Sequence, residues 1–340
     1  MRARFDRRAR QDAFTGSDAA SFEQWRRQSR ETLTKLLGLD RMERCAHEAV
    51  IDETVELADG IRREHLILQV EPGIHMTAYL LIPREVDPER RVMLALPGHM
   101  GAGKYSVAGC KEIPAVADAI ARFNYDYGWR MARKGYVTVC PDCRGFGERR
   151  DEALQSDEEA AFMGCTCFHL SHMAEGLGET VCGMNAWDEI RLIDYLEERG
   201  AAEGWHTGRY GCLGFSGGGM QTLWLAAMDE RVDHVLISGY LYGYRDSLLV
   251  LNGNCSCNYV PGLWTHFDMG DIASLIAPGR LFIQSCRDDD LNGPRGLVNV
   301  EEQMVIIRNA YRLLDAEERV THDIRPGGHC FHPELLETFA

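Results

Sequence analysis

From about residue 91 onward, short and continuously apolar runs alternate with stretches of helical length, and few architectures accept that pattern. Runs at 91–96, 136–140, 210–214, 235–238 and 281–284 read as strands without polar alternation, so both of their faces must be covered. Between them, 115–134, 184–199, 217–228 and 300–316 read as helices, the first two closed by Gly135 and Gly200, and a last strand spans 320–325. Strands alternating with helices imply an α/β fold, a mostly parallel central sheet with helices on both faces. Ahead of this unit, 48–57, 64–70 and 76–82 predict antiparallel strands, separated by turn signals at Asp59-Gly60 and Pro72-Gly73. Residues 21–38 carry helical apolar spacing with Gly38 as the stop. They predict an N-terminal helical appendage over 1–46, leaving 47–340 as the main domain. Segments 143–183 and 241–279 are longer than ordinary connections and are expected to form pocket walls.

Charge excludes some partners. A formal net charge of −15 over 340 residues leaves no basic footprint for nucleic acid and disfavours an anionic membrane surface. No apolar run approaches the roughly 20 residues of a membrane span. The N-terminal Met1-Arg2-Ala3-Arg4-Phe5 is charged without an apolar region behind it, which predicts a cytoplasmic protein. The twelve cysteines are then expected as mostly free thiols. They include three close pairs, Cys140/Cys143, Cys165/Cys167 and Cys255/Cys257. The first has metal-site spacing, but no second Cys-x-x-Cys or paired-His spacing completes a tetrahedral set, so no metal is expected.

Gly214-Phe215-Ser216-Gly217-Gly218 falls between a predicted strand and a predicted helix, where a nucleophile elbow must lie. With 34 glycines in the chain, accidental matches to this pattern are expected roughly 0.1 times. The glycines have a physical reason: a strained strand-to-helix turn lifts the serine hydroxyl, and side chains at 214 or 218 would strike neighbouring elements. The helix that follows aims its N-terminus at the site, so the Gly217 N–H can stabilise a developing oxyanion. The serine needs a base, and the base needs an orienting carboxylate. Of the downstream histidines His234, His266, His322, His329 and His332, His329 in Pro326-Gly327-Gly328-His329 follows the last strand and suits the base. The acid belongs after 281–284, where Asp288, Asp289 and Asp290 are equally placed. The second oxyanion donor is expected in the loop after 91–96. That loop also contains Gly98-His99-Met100-Gly101-Ala102-Gly103-Lys104, a phosphate-loop pattern, but Tyr105 stands where Ser or Thr would bind magnesium. Tyr240, Tyr242, Trp264 and His266, in or beside the second long segment, are candidates for a substrate pocket, with local packing as the alternative.

Taken in order, several pieces resemble α/β-hydrolases related to dienelactone hydrolase and acetyl xylan esterase, in the bacterial acetylesterase-like branch. They are Trp25-Arg26, Leu36-Leu37-Gly38-Leu39, Gly98-His99 through Gly103-Lys104, Asp126-Tyr127-Gly128 and Cys140-Pro141-Asp142-Cys143-Arg144-Gly145-Phe146-Gly147-Glu148-Arg149. The elbow, Ile276-Ala277-Pro278 and Gly327-Gly328-His329 complete the set. The resemblance implies an α/β-hydrolase fold and selects Asp289 as the acid. It also implies the His99 N–H as second oxyanion donor. Pro97 and Cys286 depart from the relatives' pattern, which often has His and Gly there. The implied activity is hydrolysis of acetyl or other short-chain esters of a carbohydrate or small molecule by Ser216, His329 and Asp289, with no cofactor. A serine peptidase on the same fold and a non-catalytic binding protein are the alternatives. The expected partner is a small-molecule ester, with homo-oligomerisation open.

Overall fold

In the computed structural model, which describes residues 1–151, 156, 158–250 and 254–340, nine strands form one sheet. They are β1 (Val50–Glu56), β2 (Ile61–Glu71), β3 (Ile74–Pro83), β4 (Val92–Leu96), β5 (Thr138–Pro141), β6 (Tyr210–Phe215), β7 (Val232–Ser238), β8 (Arg280–Cys286) and β9 (Val320–Arg325). Their order is β1-β2-β3-β5-β4-β6-β7-β8-β9. The first three strands and the β3–β5 pair are antiparallel, while every pair from β5 to β9 is parallel. This is the mostly parallel central sheet that the strand and helix alternation predicted, opened by antiparallel strands.

Burial on both faces explains the apolar runs. Within β4, Val92, Leu94 and Leu96 enter one core cluster while Met93 and Ala95 enter the other. The helix Ala19–Leu37 lies in the first cluster through Phe22, Leu33 and Leu37, each fully buried, so it joins the core of the main domain, packing on the helices Val181–Glu203 and Gly217–Met228. Asp18 caps that helix by accepting from the Ser21 N–H, and Gly38 ends it in the left-handed region at φ 79°.

The helix expected over 115–134 is two helices, Pro114–Phe123 and Tyr127–Arg133. Asn124 breaks it by adopting φ 56°, a conformation Asn tolerates better than most side chains, and its amide donates to the Phe331 carbonyl at 2.8 Å. That partner lies 207 residues away, so local pattern could not reveal the break. Residues 152–155, 157 and 251–253, within the two long segments, lie outside the described residues.

Strand order reverses direction around β4, which sends its chain to β5 on one side while β6 pairs on the other. In an open α/β sheet the C-terminal ends of strands at such a switch point form a crevice. The loop holding His99 follows β4, and Ser216 follows β6.

Candidate active site

Ser216 adopts φ 59° and ψ −120°, a region that a non-glycine residue occupies only under constraint. Its backbone N–H donates to the Ser238 carbonyl at 2.9 Å, fixing the turn to β7. Serine at a helix start ordinarily caps the helix, but here the hydroxyl makes no cap hydrogen bond and the residue is half-buried among fully buried neighbours. The surrounding glycines are required by contact. A Cβ at Gly214 would lie 2.2 Å from the Gly218 carbonyl oxygen, and one at Gly218 would lie 2.0 Å from the Leu96 carbonyl oxygen. The elbow therefore depends on close approach of β4, β6 and the helix Gly217–Met228.

The loops after β8 and β9 zip together, with the Arg287 N–H on the Arg325 carbonyl and the Asp288 N–H on the Gly327 carbonyl, both at 2.9 Å. This places His329 Nδ1 2.6 Å from Asp289 Oδ2. Asp289 Oδ1 accepts from the Leu291 N–H at 2.9 Å, and the carboxylate side chain is 2% exposed. The imidazole lies over Phe215, the residue before the serine, with ring centroids 4.5 Å apart. Asp288 and Asp290 are exposed and flank this contact without entering it. Of the other downstream histidines, His234 sits 2.6 Å from the Phe339 carbonyl, His322 pairs with Glu301 and Ser285, and His266 pairs with Asp12. The His332 backbone N–H donates to Gln284 at 2.8 Å.

Two positioning residues escaped the sequence reading. Gly239 has φ 61°, and a Cβ there would lie 2.8 Å from Phe215 Cε2 and 3.1 Å from His329 Cε1. Gln284 accepts from the Ser238 hydroxyl at 2.9 Å and from His332, and donates to the His332 carbonyl at 2.9 Å, clamping the histidine loop to β7 and β8. Neither has a signal in the sequence, since each acts through partners from distant strands.

Behind β4, the Tyr125 hydroxyl donates to the His99 carbonyl at 2.6 Å. A Cβ at Gly98 would meet the Phe215 carbonyl oxygen at 2.6 Å, and one at Gly217 would meet His99 Nδ1 at 2.6 Å. The His99 peptide thus lies against the elbow. Lys104, the lysine of the phosphate-loop pattern, is fully buried and donates to Asp142 at 2.6 Å, with Glu148 at 2.8 Å. Asp142 also accepts from the Lys104 N–H and the Thr77 hydroxyl. This lysine is an internal tie between the loops after β4 and β5.

The proposed pocket aromatics separate. Tyr240 and Tyr242 are buried beside the elbow, rings 5.3 Å apart, with a Cβ at Gly219 reaching within 2.9 Å of Tyr240 Cβ. Trp264 and His266 hold the N-terminal arm, the packing alternative, and Trp264 also lines a cavity of about 330 Å³ with Tyr259 and Val260. The Trp264 and His266 carbonyls accept from the Arg10 and Asp12 N–H groups, Trp264 packs edge-on to Phe5, and His266 Nδ1 lies 2.7 Å from Asp12. Their sequence position beyond β7 hid a partner some 250 residues earlier. A cavity of about 630 Å³ is lined by Arg91, Arg209 and Arg280 at the opposite, N-terminal ends of β4, β6 and β8, away from Ser216.

The cysteines also sort differently from their spacing. Cys140 is core, facing Gly128, and the Cys143 thiol donates to Gln221. Instead, His99, Cys165, Cys167 and Cys255, which spacing along the chain does not group, place their donor atoms within 4.8 Å of one another. Hydrogen bonds from Cys165, Cys167 and Cys257 hold the Cys255 thiol far below its ordinary range.

Comparison with known proteins places this geometry in context. A Bacillus subtilis (strain 168) protein provisionally named a hydrolase, YtaP, is 25% identical over 262 residues, covering 72% of this chain and 75% of its own. A protein from Bacteroides fragilis NCTC 9343 provisionally named an acetyl xylan esterase superposes with a TM-score of 0.76 at 17% identity, covering 94% of this chain and 80% of that one. A glucuronoyl esterase from Solibacter usitatus gives 0.65 at 16% identity, covering 98% and 95%. The model of the Abhydrolase family matches residues 7–326, and the chain belongs to that family.

Proposed function

We propose that this chain is a serine carboxylic-ester hydrolase using Ser216 as nucleophile, His329 as base and Asp289 as the orienting acid. The observation that carries this reading is the 2.6 Å contact of His329 Nδ1 with a buried carboxylate, on a ring packed against Phe215 beside the strained Ser216 elbow. Holding Nδ1 on Asp289 leaves Nε2 to take the Ser216 proton as the hydroxyl attacks the ester carbonyl. The Gly217 and His99 N–H groups receive the oxyanion of the tetrahedral intermediate. His329 then returns its proton to the departing alcohol. Water, activated by the same imidazole, hydrolyses the acyl-enzyme and restores Ser216.

Family membership and the likeness to proteins named hydrolase, acetyl xylan esterase and glucuronoyl esterase support an ester substrate. The acyl group is acetyl or similarly short, and the alcohol is a carbohydrate or other small molecule. Two measurements test this. A fluorophosphonate probe is expected to label Ser216 in the wild type and nothing in Ser216→Ala. Short-chain p-nitrophenyl esters and acetylated sugars are expected to be cleaved faster than long-chain esters. Absence of a Ser216 adduct, or a clear preference for long acyl chains, would overturn the respective part of the assignment.

A further inference from the structure

Four of the twelve cysteines converge on one histidine side chain. His99 Nε2 lies 3.5 Å from Cys257 Sγ and 3.8 Å from Cys167 Sγ, and the donor atoms of His99, Cys165, Cys167 and Cys255 are all within 4.8 Å of each other. With zinc bonds of about 2.3 Å to sulfur and about 2.05 Å to nitrogen, a tetrahedral ion separates its sulfurs by about 3.8 Å and nitrogen from sulfur by about 3.6 Å. The His99–Cys167 separation of 3.8 Å is close to that value, and the other donor pairs lie within 4.8 Å. The histidine is oriented for it, because Nδ1 faces Gly217 and leaves Nε2 toward the thiols. The remaining buried thiols are dispersed and engage ordinary protein groups, as Cys143 does with Gln221, Cys212 with Thr222 and Cys286 with the Cys330 carbonyl.

We propose that His99 Nε2 and the Sγ atoms of Cys165, Cys167 and Cys255 bind one zinc ion. Three thiolates and an imidazole suit zinc, and four protein donors leave no coordination position for a substrate, so the site is structural. The thiols bind after releasing their protons to solvent, and no oxidation state changes. Cys257 stands beside the set, with the Asn258 amide on its sulfur at 3.7 Å. The donors come from three places: the loop after β4, the first long segment and the second. A single ion therefore ties both pocket-wall segments to the peptide that faces the elbow. Loop closure of this kind stabilises most when the joined residues are far apart in sequence, as 99, 165 and 255 are.

The test uses the full-length protein, purified without chelators and analysed by inductively coupled plasma mass spectrometry. About one zinc per chain is expected, as for a closed four-donor site. Replacing it with Co(II) is expected to give intense d–d bands and thiolate-to-cobalt charge transfer, the signature of a tetrahedral thiolate site. The Cys165→Ser/Cys255→Ser variant is expected to lose both signals, whereas Cys45→Ser, remote from the cluster, keeps them. A folded wild-type protein that takes up neither metal overturns the proposal. So does metal retained in full by the double variant, or a disulfide found within the cluster by mass spectrometry. Metal content is read without any ester, so this result stands apart from the assigned hydrolysis.

Discussion

Asp289→Asn is the substitution whose effect the geometry defines most closely. The carboxylate has two engagements: Oδ2 at His329 Nδ1, 2.6 Å, and Oδ1 on the Leu291 N–H, 2.9 Å. In the asparagine variant the amide oxygen must keep the Leu291 N–H, because only an acceptor fits there, and the NH₂ group turns to His329 Nδ1. A donor facing Nδ1 forces the imidazole proton onto Nε2, the nitrogen that has to receive the Ser216 proton. The variant also loses the negative charge that stabilises the imidazolium. At a charge separation of about 4 Å and an effective dielectric of about 20, that attraction is about 4 kcal/mol, or roughly 10³ in rate. Adding the inverted tautomer, kcat should fall about 10⁴-fold with KM little changed. Asp288→Asn and Asp290→Asn, both exposed, should stay within about twofold of wild type, as surface substitutions do. Steady-state hydrolysis of p-nitrophenyl acetate by the three variants, with circular dichroism to confirm folding, decides the matter. Less than a tenfold loss in Asp289→Asn, or a large loss in either neighbour, would refute the reasoning.

Two further outcomes follow from the same packing. Gly239→Ala places a methyl group 2.8 Å from Phe215 and 3.1 Å from His329 at φ 61°. It should cost about 1–2 kcal/mol of stability and, by displacing the imidazole, about 10²-fold in kcat/KM, measured by denaturant melts and steady-state kinetics. Wild-type kinetics in a folded Gly239→Ala protein would show that Gly239 does not set the histidine's position. Glu189 is fully buried in the helix Val181–Glu203, and neither carboxylate oxygen has a hydrogen-bond partner among the described residues. Burial, and then the nearby Asp188, raise its pKa well above the ordinary carboxylate value. The folded state thus holds a proton that the unfolded chain releases, so the stability this confers is full below the unfolded pKa and is lost as pH rises through the folded one. Glu189→Gln should therefore be more stable than wild type at pH 8, by on the order of 1–3 kcal/mol, with the gap closing toward pH 4. Thermal melts across that range check it, and a gap that widens on acidification would reverse the assignment.

The sequence was most informative where one short segment determines its own surroundings. The elbow is such a case: Gly214, Gly217 and Gly218 mark a close approach that the chain makes wherever a strand turns sharply into a helix over a neighbouring strand, and all three have backbone or ring atoms inside a Cβ's reach. His329 was legible because a single histidine follows the last strand in a glycine turn. Asp289 was not separable from its two neighbours by pattern, since only the paired loops after β8 and β9 turn one of three acids inward and leave the others in solvent. The contacts of Trp264 and His266 were hidden for the same reason, their partners lying in the first dozen residues. The thiol cluster is the extreme case. Cys165-x-Cys167 and Cys255-x-Cys257 were visible as pairs, but metal sites are recognised by spacing within a segment, and here the fourth donor is a histidine in the loop after β4. The switch point at β4 joins these facts, because a loop that leaves the sheet there faces the elbow on one side and the insertions from both later segments on the other. His99 stands at that junction, its peptide against the elbow and its ring among the thiols. A residue that looked from sequence like a backbone donor alone is thereby also the point at which the pocket walls can be fastened.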